Sequence, residues 1–381
     1  MKPRNIAIVC GVAGVAVGLA AATGIVYHKQ IKSAASLKRL TGYVDGYDLY
    51  AIDIAYDYDL DRIIAAGVRD DQAYIDAVVA QVLPGVPVHV QAPQFACSAF
   101  VAVDAEGRVR TGRNYDFKDD TSALLVRNHP RGGYASIGFA ALNNLGDNTP
   151  LDSVAGRAAA LMGPFAQLDG VNECGVSIAV LTLDSKPCDQ DAQRPVINTS
   201  LAIRLVLDRA ATTQEAVDLL SAYDMHAMAG RDYHFFINDA AGDARVVEWD
   251  PRDPDRAFKT TPVRQVTNFY ACYGDEVLPN QKKMASWAMV KSAPSQSPMS
   301  LMPMSVPRTK RLSGKPCVPQ RKNPIRKTSP AIRNGRSSLT IPNPPPLLHC
   351  AATGATSTPS HCKDQARRPY ARLTLLTFPY A

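Results

Sequence analysis

The sequence predicts an α+β fold in which two β-sheets lie between layers of helices. Three observations support this fold class. Strand-like segments with alternating apolar side chains occupy residues 95–142, two amphipathic helices follow within residues 197–223, and further strands extend to residue 270. Strands, then a helix pair, then strands again is an order that suits two sheets packed between helical layers.

The first pair of strands is a β-hairpin that runs from Phe95 to Phe117. Apolar residues alternate with small or polar ones in CSAFVAVD, the segment AEGR supplies a glycine turn, and VRTGRNYDF runs back. The return strand brings Arg113 and Asp116 beside the start of the first strand, where Cys97 lies. A thiol is a good nucleophile only as a thiolate, and a neighbouring cation lowers its pKa. The hairpin therefore predicts a nucleophilic cysteine.

The other elements follow from similar patterns. The segment DDQAYIDAVVAQVL predicts a helix before the hairpin, and ALLVRNHP, YASIGFAAL and GVSIAVLTL predict strands after it, with a short helix near residues 154–162. INTSLAIRLVLDRAAT is an amphipathic helix capped by Asn198 or Thr199, and a second helix starts at Thr212 or Thr213. The segments YHFFINDAAGDARVVEWD and VRQVTNFY predict a second hairpin and one more strand.

A base is still missing from the residues around the thiol. A cut between Ala96 and Cys97 would create an α-amine, whose ordinary pKa is roughly 7.7–8.0. Such an amine can take the thiol proton and later protonate the leaving amine of a substrate. Asp116 would hold this amine in place.

Three motifs in order give the chain a family resemblance. Arg113 and Asp116 follow Cys97 by 16 and 19 residues within a G-R-N-aromatic-D-aromatic segment. Asn172 lies in DGVNECG, and Asn268 lies in VTNFY. With these motifs the chain resembles the cysteine N-terminal-nucleophile hydrolases, a group of choloylglycine hydrolases, penicillin V acylases, acid-ceramidase-like amidases and isopenicillin N acyltransferases.

The resemblance covers about residues 36–283 and implies both a fold and a chemistry. The implied fold is a four-layer αββα sandwich, here incomplete at its C-terminus. The implied reaction is hydrolysis of a linear amide carbon–nitrogen bond, with N-acyl amides, conjugated bile acids or penicillin V as small-molecule substrates. No metal and no organic cofactor is needed. An acyltransferase that passes the acyl group to an amine remains open.

The resemblance also assigns a role to each candidate catalytic residue. Cys97 attacks the carbonyl carbon, while Arg113 and Asp116 position its thiolate and its free amine. Asn172 and Asn268 hold the oxyanion of the tetrahedral intermediate. Each residue has a structural alternative as well: a small buried hydrophobe for the cysteine, an ion pair for the arginine and aspartate, and turn or strand-end positions for the asparagines. The i, i+3 spacing of the arginine and aspartate places them on opposite faces of a straight strand.

The N-terminal residues 1–32 are predicted to direct the chain to a membrane or beyond it. An uncharged run covers residues 6–27, long enough to cross a hydrocarbon core of about 30 Å. It predicts a membrane anchor with an extracytoplasmic domain, and a cleaved secretory signal is the alternative. Residues 33–96 form a leader, whose Asp53, Asp57, Asp59 and Asp61 suggest a cation site or, more simply, the solvated face of a strand.

The C-terminal residues 284–381 depart from the hydrolase domain at residues 97–283. They contain fifteen Lys or Arg, fifteen Pro and one acidic residue, without a regular apolar pattern. This composition predicts a disordered or frame-shifted basic tail, able to hold anionic lipid or nucleic acid without sequence specificity. The alternative function is accordingly an inactive, truncated, membrane-tethered homologue.

The remaining cysteines and histidines show no metal-binding spacing. No C-x-x-C pair is present. Cys174 and Cys188 could form a bridge outside the cell, although their spacing alone does not establish one. A papain-like protease is disfavoured, because no histidine lies in a recognisable partner context and Cys97 opens a strand instead of a helix. The sequence predicts neither the acyl group of the substrate nor the oligomeric state.

Overall fold

The computed structural model describes most of the chain up to residue 281. The described residues are 27–42, 47–84, 95–117, 121–142, 145, 151, 153–281 and 374–376. The predicted membrane segment at residues 6–27 lies outside them except for Tyr27, and the tail at residues 284–381 lies outside them except for 374–376. Among the described residues, no helix has both the length and the apolar character that crossing a membrane requires.

Six α-helices, three short 3-10 helices and fifteen strands occur in the described part of the chain. The helices are α1 (27–36), α2 (Leu60–Ala65), α3 (Asp71–Val82), α4 (Val154–Ala160), α5 (Thr199–Arg209) and α6 (Thr213–Ser221). The strands are β1 (Lys38–Gly42), β2 (Asp48–Ile54), β3 (Phe95–Val103), β4 (Val109–Phe117), β5 (Ala123–Asn128), β6 (Ser136–Ala141), β7 (Asp169–Asn172), β8 (Ser177–Leu183), β9 (Val196–Asn198), β10 (Asp224–His226), β11 (Asp232–Asn238), β12 (Ala244–Trp249), β13 (Phe258–Pro262), β14 (Gln265–Val266) and β15 (Thr374–Leu376).

The strands form two large sheets and one small one. The larger sheet has nine strands in the order β1-β2-β5-β6-β7-β8-β11-β12-β13, and only its β2–β5 pair is parallel among the described strands. The second sheet has the order β14-β3-β4-β15, and β9 pairs with β10 in parallel. The predicted α+β class and its two-sheet sandwich are confirmed.

The described elements stack as helices, sheet and sheet. Helix α5 packs on β7 and β8, α6 packs on β11 and β12, and β3 of the second sheet packs on β8. Gly170 permits the close approach of α5, since a Cβ atom there would lie 2.7 Å from Leu207 Cδ1. Large apolar side chains such as Trp249 and Phe235 are at most 1% exposed and form the core. The central strands β8 and β11 are thus buried along their whole length, whereas the edge strands β1 and β13 are largely exposed.

The leader is an integral part of the nine-stranded sheet. Strand β2 pairs with β5 from Leu49 to Ile54. The hydroxyl groups of Tyr56 and Tyr74 donate to main-chain oxygens near α4, the latter over 2.6 Å, and the Tyr58 hydroxyl donates to a carboxylate of α5 over 2.8 Å. These buried contacts cross the position of a cut before Cys97, so the leader would remain attached by its packing after such a cut.

The structure decides between the alternative helix caps. The Asn198 side chain accepts a hydrogen bond from the amide of Leu201 at 2.9 Å and begins α5. The Thr212 hydroxyl accepts one from the amide of Glu215 at 3.1 Å and begins α6. Each cap satisfies an amide that the helix itself leaves without a partner.

The aspartates of the leader are engaged individually and form no shared site. Asp53 pairs with Arg127, Asp57 with Lys29 and Asp61 with Arg209, while Asp59 caps α2. Within the described residues, no group of three His, Cys, Asp or Glu side chains is arranged to hold a metal ion. All four side chains are exposed, but only Asp53 lies on a strand, since Asp59 and Asp61 belong to α2 and its cap.

The suggested bridge between Cys174 and Cys188 is wrong. Cys188 is a buried free thiol, whereas Cys174 is disulfide-bonded. Burial and the charge of Asp232 raise the pKa of the Cys188 thiol to about 12. This thiol is therefore protonated at neutral pH and is a poor nucleophile.

Candidate active site

The hairpin of β3 and β4 brings the residues of the first motif together. The cross-strand pairs are Ala96 with Asp116, Cys97 with Tyr115, and Ala99 with Arg113. Directly paired residues share a face of the sheet, so Cys97, Tyr115 and Arg113 lie on one face. Cys97 is 4% exposed and Arg113 is 5% exposed. The backbone of Asp116 lies opposite Ala96, the residue before Cys97; its side chain is outside the described part of the structure.

Asn268 connects Cys97 to the larger sheet. Its Oδ1 atom accepts a hydrogen bond from the main-chain nitrogen of Cys97 at 2.7 Å. Its Nδ2 atom donates to the main-chain oxygen of Thr182 in β8, also at 2.7 Å. Asn268 is 6% exposed, so both bonds are shielded from water. This asparagine therefore holds the main-chain nitrogen of Cys97 in place.

Arg113 joins the first motif to the second. Its Nη2 atom donates to the main-chain oxygen of Val180 at 2.6 Å, and its Nε atom lies 3.6 Å from Oδ2 of Asp169. Asp169 is the first residue of the segment DGVNECG, and it also accepts a hydrogen bond from the amide of Phe139. Burial raises the pKa of Asp169, and the charge of Arg113 opposes this rise. The arginine is thus held rigidly beside the strand that carries Cys97.

A small cavity of about 50 Å³ lies beside Arg113 and Asp169. Its walls include Thr111 of β4, Ser177 of β8 and Asn238 of β11. A volume of this size can hold water molecules or the end of a small group. Because Thr111 and Arg113 follow each other on one face of β4, the cavity extends the site away from Cys97.

Asn172 closes a turn away from Cys97. Its Nδ2 atom donates to the main-chain oxygens of Leu207 at 3.2 Å and Ala210 at 2.7 Å. Its Oδ1 atom accepts from the amides of Cys174 at 3.1 Å and Val176 at 3.0 Å. The turn also needs a glycine, because φ is 85° at Gly175.

The oxyanion role predicted for Asn172 does not fit this geometry. Both of its amide hydrogens are donated to helix α5 and its end. The main-chain partners of Asn172 and Asn268 on the β8 segment, Val176 and Thr182, are six residues apart, or roughly 20 Å along a strand. The two asparagines therefore lie at opposite ends of β8, and only Asn268 is at the cysteine.

Replacing Asn172 with alanine is expected to lower stability by about 2–4 kcal/mol, because buried carbonyl and amide groups lose their partners. Chemical denaturation monitored by circular dichroism measures this loss. Folded Asn172→Ala protein should keep its rate of amide hydrolysis. Unchanged stability together with a hundredfold loss of hydrolysis would restore the oxyanion role.

Sequence reasoning missed two residues beside the predicted set. Tyr115 lies directly opposite Cys97; burial raises the pKa of its hydroxyl, and the charge of a Cys97 thiolate raises it further. Asp169 contacts Arg113 as described above. Both residues lie inside the quoted motifs, and strand alternation places Tyr115 on the same face as Arg113. The alternation of side chains along β4 could therefore have identified the tyrosine. The contact between Asp169 and Arg113 could not be predicted in this way, because it depends on how the two sheets pack together.

Two solved structures match part of the chain. Penicillin V acylase from Agrobacterium tumefaciens is 23% identical over 51% of this chain and 57% of that chain, with a TM-score of 0.35. A mutant of conjugated bile acid hydrolase from Clostridium perfringens is 15% identical over 50% of this chain and 57% of that chain, with the same TM-score of 0.35. The chain thus spans little more than half the length of either structure. No curated protein sequence matches the chain.

A family sequence model matches more than half of the chain. The family is described as acyl-coenzyme A:6-aminopenicillanic acid acyl-transferase, and the match covers residues 103–311. It contains Arg113, Asp116 and Asn268, begins just after Cys97, and continues 28 residues beyond residue 283. The resemblance inferred from the motifs is confirmed, and the chain belongs to the acyl-coenzyme A:6-aminopenicillanic acid acyl-transferase family of N-terminal-nucleophile proteins.

Proposed function

We propose that the chain is an amidase that cleaves linear carbon–nitrogen amide bonds with Cys97 as an N-terminal nucleophile. The observation that carries this proposal is the 2.7 Å hydrogen bond from the main-chain nitrogen of Cys97 to Oδ1 of Asn268. A buried acceptor aimed at this nitrogen is what a catalytic α-amine needs in order to keep its position between proton transfers.

The amine arises by cleavage of the Ala96–Cys97 peptide bond. In the uncut chain this bond lies within β3, and Asp116 lies opposite Ala96 on the neighbouring strand. Cleavage leaves the nitrogen of Cys97 beside Asn268, where the same hydrogen bond is possible. The new amine has an ordinary pKa of roughly 7.7–8.0 and is therefore a competent base near neutral pH.

Amide cleavage proceeds through an acyl-thioester. The amine takes the thiol proton, and the Sγ atom of Cys97 forms a bond to the substrate carbonyl carbon. The amine then gives that proton to the leaving nitrogen as the carbon–nitrogen bond breaks. Water attacks the thioester in the second half of the reaction, releases the carboxylic acid and restores the thiol.

Two side chains would stabilise the charges that develop. The fixed guanidinium of Arg113 favours the thiolate of Cys97, since both side chains lie on the same buried face. The Nδ2 atom of Asn268 carries two hydrogens, and Thr182 accepts one of them. The second hydrogen is proposed to donate to the oxyanion of the tetrahedral intermediate.

Trapping the acyl-thioester tests this function. The purified chain is mixed with a panel of N-acyl amides, namely N-acyl amino acids, conjugated bile acids, penicillin V and N-acyl ethanolamides, quenched in acid and mapped by peptide mass spectrometry. We expect the mass of one acyl group on the peptide that contains Cys97. Protein alkylated beforehand with iodoacetamide serves as the control. An acyl group found only on Cys188 or Cys272 would contradict the proposal.

Acyl transfer to an amine is the second candidate function. The description of the matching family as an acyl-transferase favours it. The two functions share the thioester and differ in the acceptor that attacks it. Adding a primary amine to the hydrolysis assay separates them: transfer yields a new amide with ping-pong kinetics, whereas a plain hydrolase yields only the acid.

A further inference from the structure

Two buried carboxylates hold the turn that follows Asn268. It comprises Tyr270 and the 3-10 helix Ala271–Tyr273, and it is called the 270–273 turn. The carboxylate of Glu248 in β12 accepts hydrogen bonds from the amides of Ala271 at 3.0 Å and Cys272 at 2.5 Å. Asp232 at the start of β11 accepts a hydrogen bond from the hydroxyl of Tyr270. Both carboxylates are at most 1% exposed.

The side chain of Glu248 is itself positioned by a histidine. Nδ1 of His234 in β11 lies 3.2 Å from Oε2 of Glu248, and both side chains are 0% exposed. Burial opposes ionisation of Glu248, but the hydrogen bonds from His234 and from the two backbone amides outweigh it and lower the pKa of Glu248. The carboxylate is therefore charged, and both of its oxygen atoms accept hydrogen bonds.

Asp232 is supported in a similar way. It accepts a hydrogen bond from Nη2 of Arg256 at 2.8 Å and one from the amide of Cys188 at 3.2 Å. Taking two carboxylates out of water is costly unless each is paired and hydrogen-bonded. Neither carboxylate takes part in the proposed chemistry. What they share is the 270–273 turn, which begins two residues after Asn268.

We propose that Glu248, oriented by His234, and Asp232 are positioning residues that hold Asn268 against the nitrogen of Cys97 by anchoring the 270–273 turn. This inference rests on the proposed function of Cys97 and Asn268. The contacts form a continuous path: the carboxylates fix the turn, the turn fixes Asn268, and Asn268 bridges Thr182 and Cys97. A loosened turn lets the asparagine drift, which weakens the hold on the amine without removing any reacting group.

Hydrogen exchange tests the path without relying on turnover. The full chain carrying Cys97→Ala keeps a backbone amide at position 97 that cannot be lost by cleavage. Into this chain are introduced Glu248→Gln, which has nearly the same shape, and Tyr270→Phe, which removes one hydroxyl. The control is Asp53→Asn, which removes a half-exposed partner of Arg127 on β2. We expect exchange at position 97 to rise about tenfold in the first two variants and to stay unchanged in the control.

Steady-state kinetics in the chain with Cys97 intact provide the second measurement. Glu248→Ala should lower kcat more than it raises KM, and Glu248→Gln, which retains one accepting oxygen, should recover part of that loss. Faster exchange in the 270–273 turn with no change at position 97 would overturn the inference, as would equal loss in the alanine and glutamine variants. Coupled exchange in a chain whose wild type hydrolyses no amide would support the positioning path and count against the proposed function alone.

Discussion

Replacing Cys97 with alanine is expected to lower kcat/KM for amide hydrolysis by at least about a thousandfold. In the proposed reaction the Sγ atom of Cys97 forms the covalent intermediate, and no neighbouring group can take over that bond. Of the described cysteines, Cys188 is buried with its pKa raised to about 12, and the pKa of Cys272 is raised to about 12 by burial and by the charge of Glu248. Neither thiol is therefore activated.

The rate measurement compares the alanine variant with wild type and with Ser98→Ala. Ser98 follows Cys97 on β3 and so points to the opposite face of the strand. Its replacement should leave hydrolysis within about twofold of wild type, because it removes no contact to the reacting atoms. Hydrolysis that survives in Cys97→Ala would show that another residue is the nucleophile.

Replacing Arg204 with methionine is expected to destabilise the fold by about 3–5 kcal/mol, because the buried carboxyl group of Asp208 loses its ion-pair partner. Arg204 is 0% exposed on α5. Its guanidinium donates to Asp208 at 2.8 Å, Gln167 at 2.6 Å and Ser136 at 2.7 Å. Burial raises the pKa of Asp208 while the charge of Arg204 opposes the rise, so the carboxylate depends on this pairing.

Arg209 on the same helix provides the matched control. It also forms an ion pair, with Asp61 at 2.8 Å, but the two side chains are 33% and 72% exposed. An exposed pair contributes about 0–1 kcal/mol, so Arg209→Met should change the free energy of unfolding by less than 1 kcal/mol. Equal effects of the two substitutions in urea unfolding would contradict the assignment of the Arg204 network to the core.

Local patterns predicted much of the fold. The hairpin of β3 and β4, the hairpin of β11 and β12, and helices α5 and α6 all follow from apolar periodicity and capping residues within short windows. The register of Cys97 with Tyr115 was not predicted, although a hairpin with a short turn leaves little freedom in its pairing and could have indicated it.

Long-range partners could not be predicted in the same way. The parallel pairing of β2 with β5 brings together segments more than 70 residues apart, and no local pattern specifies it. Asn172 illustrates the same limit within the site. Its motif predicted a catalytic amide, but the partners that occupy its side chain come from α5 and from the turn that contains Gly175.

The buried pair of His234 and Glu248 shows why positioning residues escape sequence analysis. Neither residue lies in a motif, and the other residues of each strand have the apolar pattern of an ordinary core strand. Only the register of β11 with β12 places them together, and only the return of the chain after β14 brings the 270–273 turn to them. Their role depends on three-dimensional contacts that spacing does not encode.

Intact-mass spectrometry with N-terminal sequencing of the purified chain, beside the Cys97→Ala variant, tests the central claim most directly. The account predicts a fragment that begins at Cys97 in the wild type and is absent from the variant, with the leader fragment still bound through its shared sheet and buried tyrosines. A wild-type chain that remains uncut, with the same N-terminus as the variant, would contradict an N-terminal nucleophile at Cys97.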